Sequence, residues 1–374
     1  MKKSVVSLFA GIIALGTIQT VNADSFSIGD LVVLQVGDGS AALSSAATAG
    51  FLKEFSTSGG AALQTISIPT TASGGQFAST FGGSTTSEGQ LLQSADGQYL
   101  TFAGYNAAVG TAAPSGQTAA TINRVIGVVG ASGSLDTSTA ISSGTSGNAR
   151  SAISSNGTQL WLASSASGVG SVSLGGSAAT QLSTTPANTR VLGISAGQLY
   201  VSASSGAFLG VSSIGSGEPT TSGQTTTALP GFPTTGSHSS YDFFFANATT
   251  LYVADDGSVA NGGGIQKWAF SAGSWSLQYT LLNNGTTTTA VRSLAVDTSG
   301  ANPIIYAITT AGTGSLISLT DTGAGSTATI LATAPANTAF RGVAFAPTAV
   351  PEPATLALAS LGGLACLFAI RRKR

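Results

Sequence analysis

The sequence predicts an all-β chain folded as a six-bladed β-propeller, closed by joining strands from its N- and C-terminal ends. Three observations lead there. Segments of one design recur with starts 60, 40, 52, 50 and 49 residues apart, a period that suits units of several strands each. The composition supplies many turns and little charge: 50 glycines in 374 residues, 42% hydrophobic, 7% charged, net charge −1. Adequate hydrophobicity at such low charge argues against disorder and for short strands joined by turns. Finally, incomplete copies of the repeat at the two ends complement one another.

The elements follow in chain order. Residues 1–23 read as a secretory signal helix: Lys2 and Lys3 are basic, Val5 to Ile18 is apolar, and Val21-Asn22-Ala23 is a small-residue cleavage site. General secretion machinery and signal peptidase are therefore expected partners, with cleavage between Ala23 and Asp24. A retained anchor is disfavoured because the apolar stretch is short for a membrane span. The one cysteine, Cys366, lies in the tail, so no intrachain disulfide supports the exported body. Residues 24–347 form that body, with a net charge of −6, which gives no reason to expect nucleic-acid binding.

Within the body an apolar strand, a glycine turn and a second strand recur. The copies are "QLLQSADGQYLTFAG" (90–104), "RSAISSNGTQLWLAS" (150–164), "RVLGISAGQLYVSAS" (190–204), "DFFFANATTLYVADD" (242–256) and "RSLAVDTSGANPIIYAIT" (292–309). Further short strands follow each pair, for example "GIQKWAFSAGSWSLQYTLL" (264–282), so each unit can supply four. At the N-terminal end "LVVLQVG" (31–37), "FLKEFST" (51–57) and "ALQTISIP" (62–69) look like strands two to four of a blade lacking its first. The lone "RGVAFAP" (341–347) is the missing strand. Joining them leaves no free inner edge. The rival architecture is a parallel β-helix, common for Gly/Ser/Thr-rich exported chains, but its coils would be shorter and without paired hairpin signals.

Residues 348–374 are of another kind. Ala354 to Ile370 is an uncharged run of 17 residues, as a helix just long enough to cross a bilayer core. Arg371, Arg372, Lys373 and Arg374 follow, which places the C-terminus on the cytoplasmic side and the body outside. Pro351 and Pro353 keep the approach to this helix extended around Glu352. Pro351-Glu352-Pro353, a short apolar helix and a terminal basic cluster together resemble the PEP-CTERM sorting signal of Gram-negative bacteria. That resemblance implies recognition by exosortase, a membrane-embedded cysteine transpeptidase, in organisms that make exopolysaccharide. It implies transient inner-membrane anchoring through the tail, then removal and delivery to the outer surface or the extracellular (biofilm) matrix. The Leu-Tyr-Val strands resemble the YVTN-type propeller repeats of secreted bacterial proteins. "VGDGSAALSSAATAGFLKEF" (36–55) with the late "FRGVAFAP" (340–347) is similar to a body type recurrent among PEP-CTERM proteins. Neither resemblance names an activity.

Candidate chemistry is sparse. Gly193-Ile194-Ser195-Ala196-Gly197 fits a nucleophile elbow, but that elbow needs a helix after the turn, where the repeat places a second strand. His238 is the one histidine, in a Gly/Ser loop, so no catalytic residue is assigned. No cofactor is expected. Calcium needs only oxygen ligands, and Asp255-Asp256-Gly257 and Asp38-Gly39 are the candidates, but Asp-Gly is first of all a turn signal.

The start of each first strand is more informative. In repeat register it carries Gln90, Arg150, Arg190, Asp242, Arg292 and Arg341, four of the body's five arginines. First strands line a propeller's channel, so these side chains are expected near one mouth, as contacts for an anionic ligand or as inter-blade pairing with carboxylates and strand-end carbonyls. Leu192, Ile194, Leu294 and Val296, two and four positions on, share their face and point inward. The expected function is a non-enzymatic envelope or matrix protein presenting a binding propeller, with extracellular polysaccharide as a candidate partner. The alternatives are a calcium-dependent lactonase- or phytase-like propeller hydrolase, whose channel would need clustered carboxylates, and a β-helix adhesin.

Overall fold

The computed structural model describes residues 24–349, apart from Asn284 and Thr288. The expected signal segment 1–23, with Ala23, and the expected sorting elements from Pro351 to Arg374 lie outside the described residues.

Each repeat folds as a four-stranded antiparallel sheet, and six such sheets form the ring. Blade 1 contains Leu92–Gln93, Tyr99–Tyr105, Arg124–Gly130 and Leu135–Ile141. Blades 2, 3, 4 and 5 begin with the inner strands Ala149–Ser154, Thr189–Ser195, Ser240–Asn247 and Val291–Asp297. Blade 6 takes its inner strand, Ala339–Phe345, from the C-terminal end and its other three, Leu31–Val36, Gly50–Phe55 and Gln64–Ser67, from the N-terminal end. Among the described residues the helical content is two short 3-10 turns, and no helix is long and apolar enough to cross a membrane.

The hairpins form where glycine permits a positive φ. Between the first two strands of blade 3, Ala196 and Gly197 sit at φ 49° and 73°, and Ser195 pairs with Gln198. Left-handed conformations at both central residues make the turn whose twist matches the strands. Ser195 thus ends a strand and enters a hairpin, which removes the elbow reading.

Alternating strand faces bury apolar side chains between neighbouring blades rather than in one central core. Six apolar clusters result, one at each blade interface. Leu34, Leu52, Phe81, Leu100 and Phe102 fill the interface of blades 6 and 1. Tyr252, Leu294, Ile305 and Ile317 fill that of blades 4 and 5. Burying each large side chain contributes about 1.5–3 kcal/mol, so every interface is a substantial share of the stability.

Inner strands are also stitched to one another. Ser151 Oγ accepts from Leu192 N–H (3.1 Å), Asp242 Oδ2 from Leu294 N–H (3.0 Å) and Ser293 Oγ from Val343 N–H (3.0 Å). Each bond joins one blade to the next at the same level of the ring. At that level of blade 6 stands Gly342, where a Cβ would lie 2.3 Å from Leu91 N and 2.7 Å from Gly89 O. Glycine there lets blades 6 and 1 close together.

Candidate functional site: an arginine-lined channel mouth

Inner strands of all six blades surround one cavity of about 240 Å³, lined by Leu192, Ile194, Phe243, Leu294, Val296 and Val343 among others. At the end where those strands begin, the four arginines gather. Arg292 reaches Asp256 Oδ2 through both Nε and Nη2 (2.6 Å each), and Arg190 lies 3.9 Å from Asp256 Oδ1. The guanidiniums of Arg190 and Arg292 also lie over Tyr241, 4.0 Å and 5.0 Å from its ring centre respectively, where a ring face attracts cations. Arg150 donates Nη1 to Thr189 O (3.2 Å), and the charge of Arg190 opposes its own. Arg341, 6% exposed, donates Nη2 to Gly83 O (2.6 Å). Burial pushes Arg341 down to about 10, against the attraction of Glu88 and with the repulsion of Arg292.

One position differs from the sequence register. In blades 2, 3 and 5 the arginine precedes by three residues the one paired with the second-strand aromatic: Ile153 with Trp161, Gly193 with Tyr200, Ala295 with Tyr306. In blade 4 Phe244 pairs with Tyr252, so the equivalent position is Tyr241, not Asp242. A bulge between Phe245 and Asn247 adds one residue between mouth and turn. Asp242 therefore points to blade 5, accepting from Leu294 N–H and Ser293 Oγ. Its burial raises it to about 7, against those hydrogen bonds. It is an inter-blade tie, and the mouth gains an aromatic floor in its place.

The crossover from blade 6 to blade 1 supplies mouth residues that the repeat could not show. Thr86 O accepts from Arg292 Nη1 (3.1 Å). Glu88 is buried, accepts from Tyr105 Oη (2.5 Å) and Gly82 N–H (3.0 Å), and is raised by burial to about 7. Gln90 is buried beside it, with no hydrogen-bond partner for either side-chain polar atom among the described residues. Glu88 follows no repeat and carries no motif, so no local signal marks it. Arg124, the fifth arginine, is fully buried and donates to the carbonyls of Ile122, Gln117 and Gly147 at 2.6–3.1 Å, a structural clamp.

The candidate calcium aspartates serve their own turns. Asp255 is buried, accepts from Ser239 N–H (3.0 Å) and Gly257 N–H (2.8 Å), and burial raises it. Asp38 accepts from Ser40 N–H and Oγ (2.9 and 2.6 Å). Among the described residues no three His, Cys, Asp or Glu side chains group as metal ligands. His238 stands half-buried in its loop.

Comparison with known proteins decides the tail. Residues 349–374 match the family described as the PEP-CTERM protein-sorting motif. The chain carries a PEP-CTERM signal. That signal implies an exported protein, held in the membrane before processing and recognised by exosortase. No curated protein matches the chain. Among solved structures, TolB from Acinetobacter baumannii is 12% identical over 88% of this chain and 69% of its own, with a TM-score of 0.51. A provisionally named 6-phosphogluconolactonase from Bacteroides fragilis is 11% identical over 80% of each chain, with a TM-score of 0.43. AztD from Citrobacter koseri is 10% identical over 86% of this chain and all of its own, with a TM-score of 0.37. The TolB likeness shows a propeller fold for the body of this chain, and the fold alone.

Proposed function

We propose that this PEP-CTERM chain is a non-enzymatic binding propeller of the outer surface or the exopolysaccharide matrix, and that its arginine mouth holds an anionic ligand. One observation carries the reading: four guanidiniums meet at one mouth of a body whose net charge is −6, and Arg150 and Arg341 make no ion pair among the described residues. Here Asp256 serves Arg190 and Arg292 together, and Glu88, with its proton held to about pH 7, only partly offsets Arg341. The mouth is thus locally positive, which raises the local concentration of anions and makes binding salt-sensitive. An acidic polysaccharide is the partner that suits both the mouth and the sorting route. In this reading residues 24–347 are the delivered body and 348–374 the sorting device, cut near Pro351-Glu352-Pro353.

The test compares wild type with the triple variant Arg190→Gln, Arg292→Gln, Arg341→Gln. Polyanion affinity and a panel of hydrolase substrates are measured on the same samples. Charge-assisted contacts contribute about 1.5–3 kcal/mol each, so the variant is expected to lose nearly all binding. Wild-type binding should weaken steeply with added salt. Calcium-dependent turnover that survives the triple substitution would refute the reading in favour of a hydrolase.

A further inference from the structure

The chain leaves the ring on the face opposite the arginine mouth. Inner strands run from that mouth to their hairpin turns, so Phe345 ends the last of them at the hairpin face, level with Leu31 and Phe55. Beyond it Ala346 N–H donates to Asp30 O (2.8 Å), and Thr348 donates to Gly97 O through both N–H and Oγ1 (2.9 and 3.1 Å). The exit is thereby pinned to blades 6 and 1. Five residues, 349–353, separate Thr348 from the uncharged run that begins at Ala354. Fully extended, such a tether reaches about 20 Å. A path from the channel around the rim to the arginine mouth crosses four strands and the height of a blade, roughly 40 Å. The tether is too short to turn the mouth towards the membrane that holds the tail.

The three most exposed large apolar side chains among the described residues stand at this same face: Ile28 (77%), Ile330 (66%) and Leu63 (58%). The fold holds them there. Gly29, at φ 89°, makes a turn in which Asp30 N–H donates to Ser27 O (3.1 Å), which sets Ile28 at the tip. Buried Glu54 accepts from Ser27 N–H (2.6 Å) and Gln64 Nε2 (2.7 Å), which keeps their neighbours Ile28 and Leu63 together at the end of blade 6. Gly60 N–H donates to Leu331 O (3.1 Å), which brings the outer strand of blade 5, with Ile330, against the same turn. Single exposed apolar residues are ordinary, but three on adjacent elements beside the chain's exit mark a contact surface. Asp24, Asp30 and Glu54 against Lys53 leave these segments acidic on balance, so they offer anionic headgroups no attraction.

We propose that this hairpin face docks on the lipid bilayer while the tail is uncut, with Ile28, Leu63 and Ile330 in the headgroup boundary and the arginine mouth turned to the far side. The inference rests on the membrane anchoring that the PEP-CTERM signal implies and is independent of what the mouth binds. Apolar side chains at a bilayer surface gain by leaving water and need no anionic lipid. An arginine mouth facing the membrane would instead seek anionic headgroups. Docking by the hairpin face keeps Pro351-Glu352-Pro353 close to the bilayer, within reach of a membrane-embedded peptidase, and leaves the mouth open to ligands from outside.

The experiment reconstitutes the uncut chain, Asp24 to Arg374, in phosphatidylcholine vesicles whose headgroups carry a nitroxide quencher. Cys366→Ser removes the native thiol, and one dye-bearing cysteine is placed by Ser299→Cys or by Ala311→Cys. Both positions are exposed on blade 5, Ser299 in its first hairpin turn and Ala311 in the loop at the mouth face. Quenching is expected to be several-fold stronger at Ser299 than at Ala311, and to be unchanged by salt or by added phosphatidylglycerol. The triple variant Ile28→Ser, Leu63→Ser, Ile330→Ser should lose most of the quenching at Ser299 while still floating with the vesicles. Melting temperatures establish that it is folded. Equal quenching at the two positions, or stronger quenching at Ala311 that requires phosphatidylglycerol, would overturn the docking face. A triple variant quenched like its parent would overturn the apolar contact. A dimer in detergent that the triple variant loses would give the patch to a second copy of the chain. Chains that fail to float would instead refute the anchoring itself, and the docking with it.

Discussion

Removing residues 339–347 should unfold the body, although they are a small part of it. The strand Ala339–Phe345 pairs with Leu31–Val36 over six register positions. At about 1 kcal/mol net for each backbone hydrogen bond, the lost ladder is worth roughly 6 kcal/mol. Phe340 and Val343 are at most 4% exposed in the apolar interface of blades 5 and 6, where Phe340 meets Phe55 edge-on at 5.8 Å. Their burial adds about 1.5–3 kcal/mol each. The sum, about 10 kcal/mol, equals the whole stability of an ordinary domain, about 5–15 kcal/mol. The truncation also bares the inner edge of Leu31–Val36, an invitation to aggregate. Circular dichroism melting of residues 24–349 against the truncated body reads the effect, and a synthetic peptide covering 336–349 should restore the transition in trans. A truncated body that melts within a few degrees of the intact one would refute closure by shared strands as the source of stability.

Three further outcomes are expected. Intact mass of the protein from an exosortase-positive host should begin at Asp24 and end near Pro353; recovery of chains still bearing Arg371 to Arg374 would contradict the processing. Glu88 and Asp242 hold protons to about pH 7 in the fold, whereas an unfolded carboxyl releases its proton near pH 4. The native state then binds more protons between those limits. Stability should therefore fall as pH rises from about 4.5 to 7 and level off above, by up to about 1.4 kcal/mol per pH unit and group. Asp242→Asn should remove its share of that slope, and melting temperatures that rise from pH 5 to pH 8 would contradict the assignment. Asp321 ties blades 4 and 5 by accepting from Tyr252 Oη (2.5 Å), Tyr279 Oη (2.7 Å) and Lys267 Nζ (2.7 Å). Burial alone would raise it, yet Lys267 and the two hydroxyls hold it below the ordinary carboxylate range. Asp321→Ala strands the Tyr252 hydroxyl and removes the counter-ion of Lys267, which keeps its bond to Tyr279 Oη (3.0 Å), and should cost about 1–3 kcal/mol in denaturant unfolding; no measurable loss would show the network to be incidental.

Much of this architecture was legible because it is locally encoded. Alternating apolar residues and left-handed turns such as Ala196-Gly197 specify each hairpin from adjacent residues alone. Their recurrence sets the blade count, and the unpaired "RGVAFAP" and "LVVLQVG" announce the closing blade. The sorting motif needs no tertiary context to be recognised, since it is one contiguous stretch, residues 349–374.

The mouth is another matter. The bulge between Phe245 and Asn247 is one residue of slack, settled by what blade 4 packs against, and it moves Tyr241 into the arginine ring and Asp242 out of it. Glu88 and Thr86 arrive on a crossover outside the repeat, and Asp256 comes from the far end of a second strand. The sequence alone determined which strands exist and that arginine recurs at their starts. Only the ring decided which of those arginines meet a carboxylate and which stay unpaired, because that depends on how six separately encoded blades rotate about one axis.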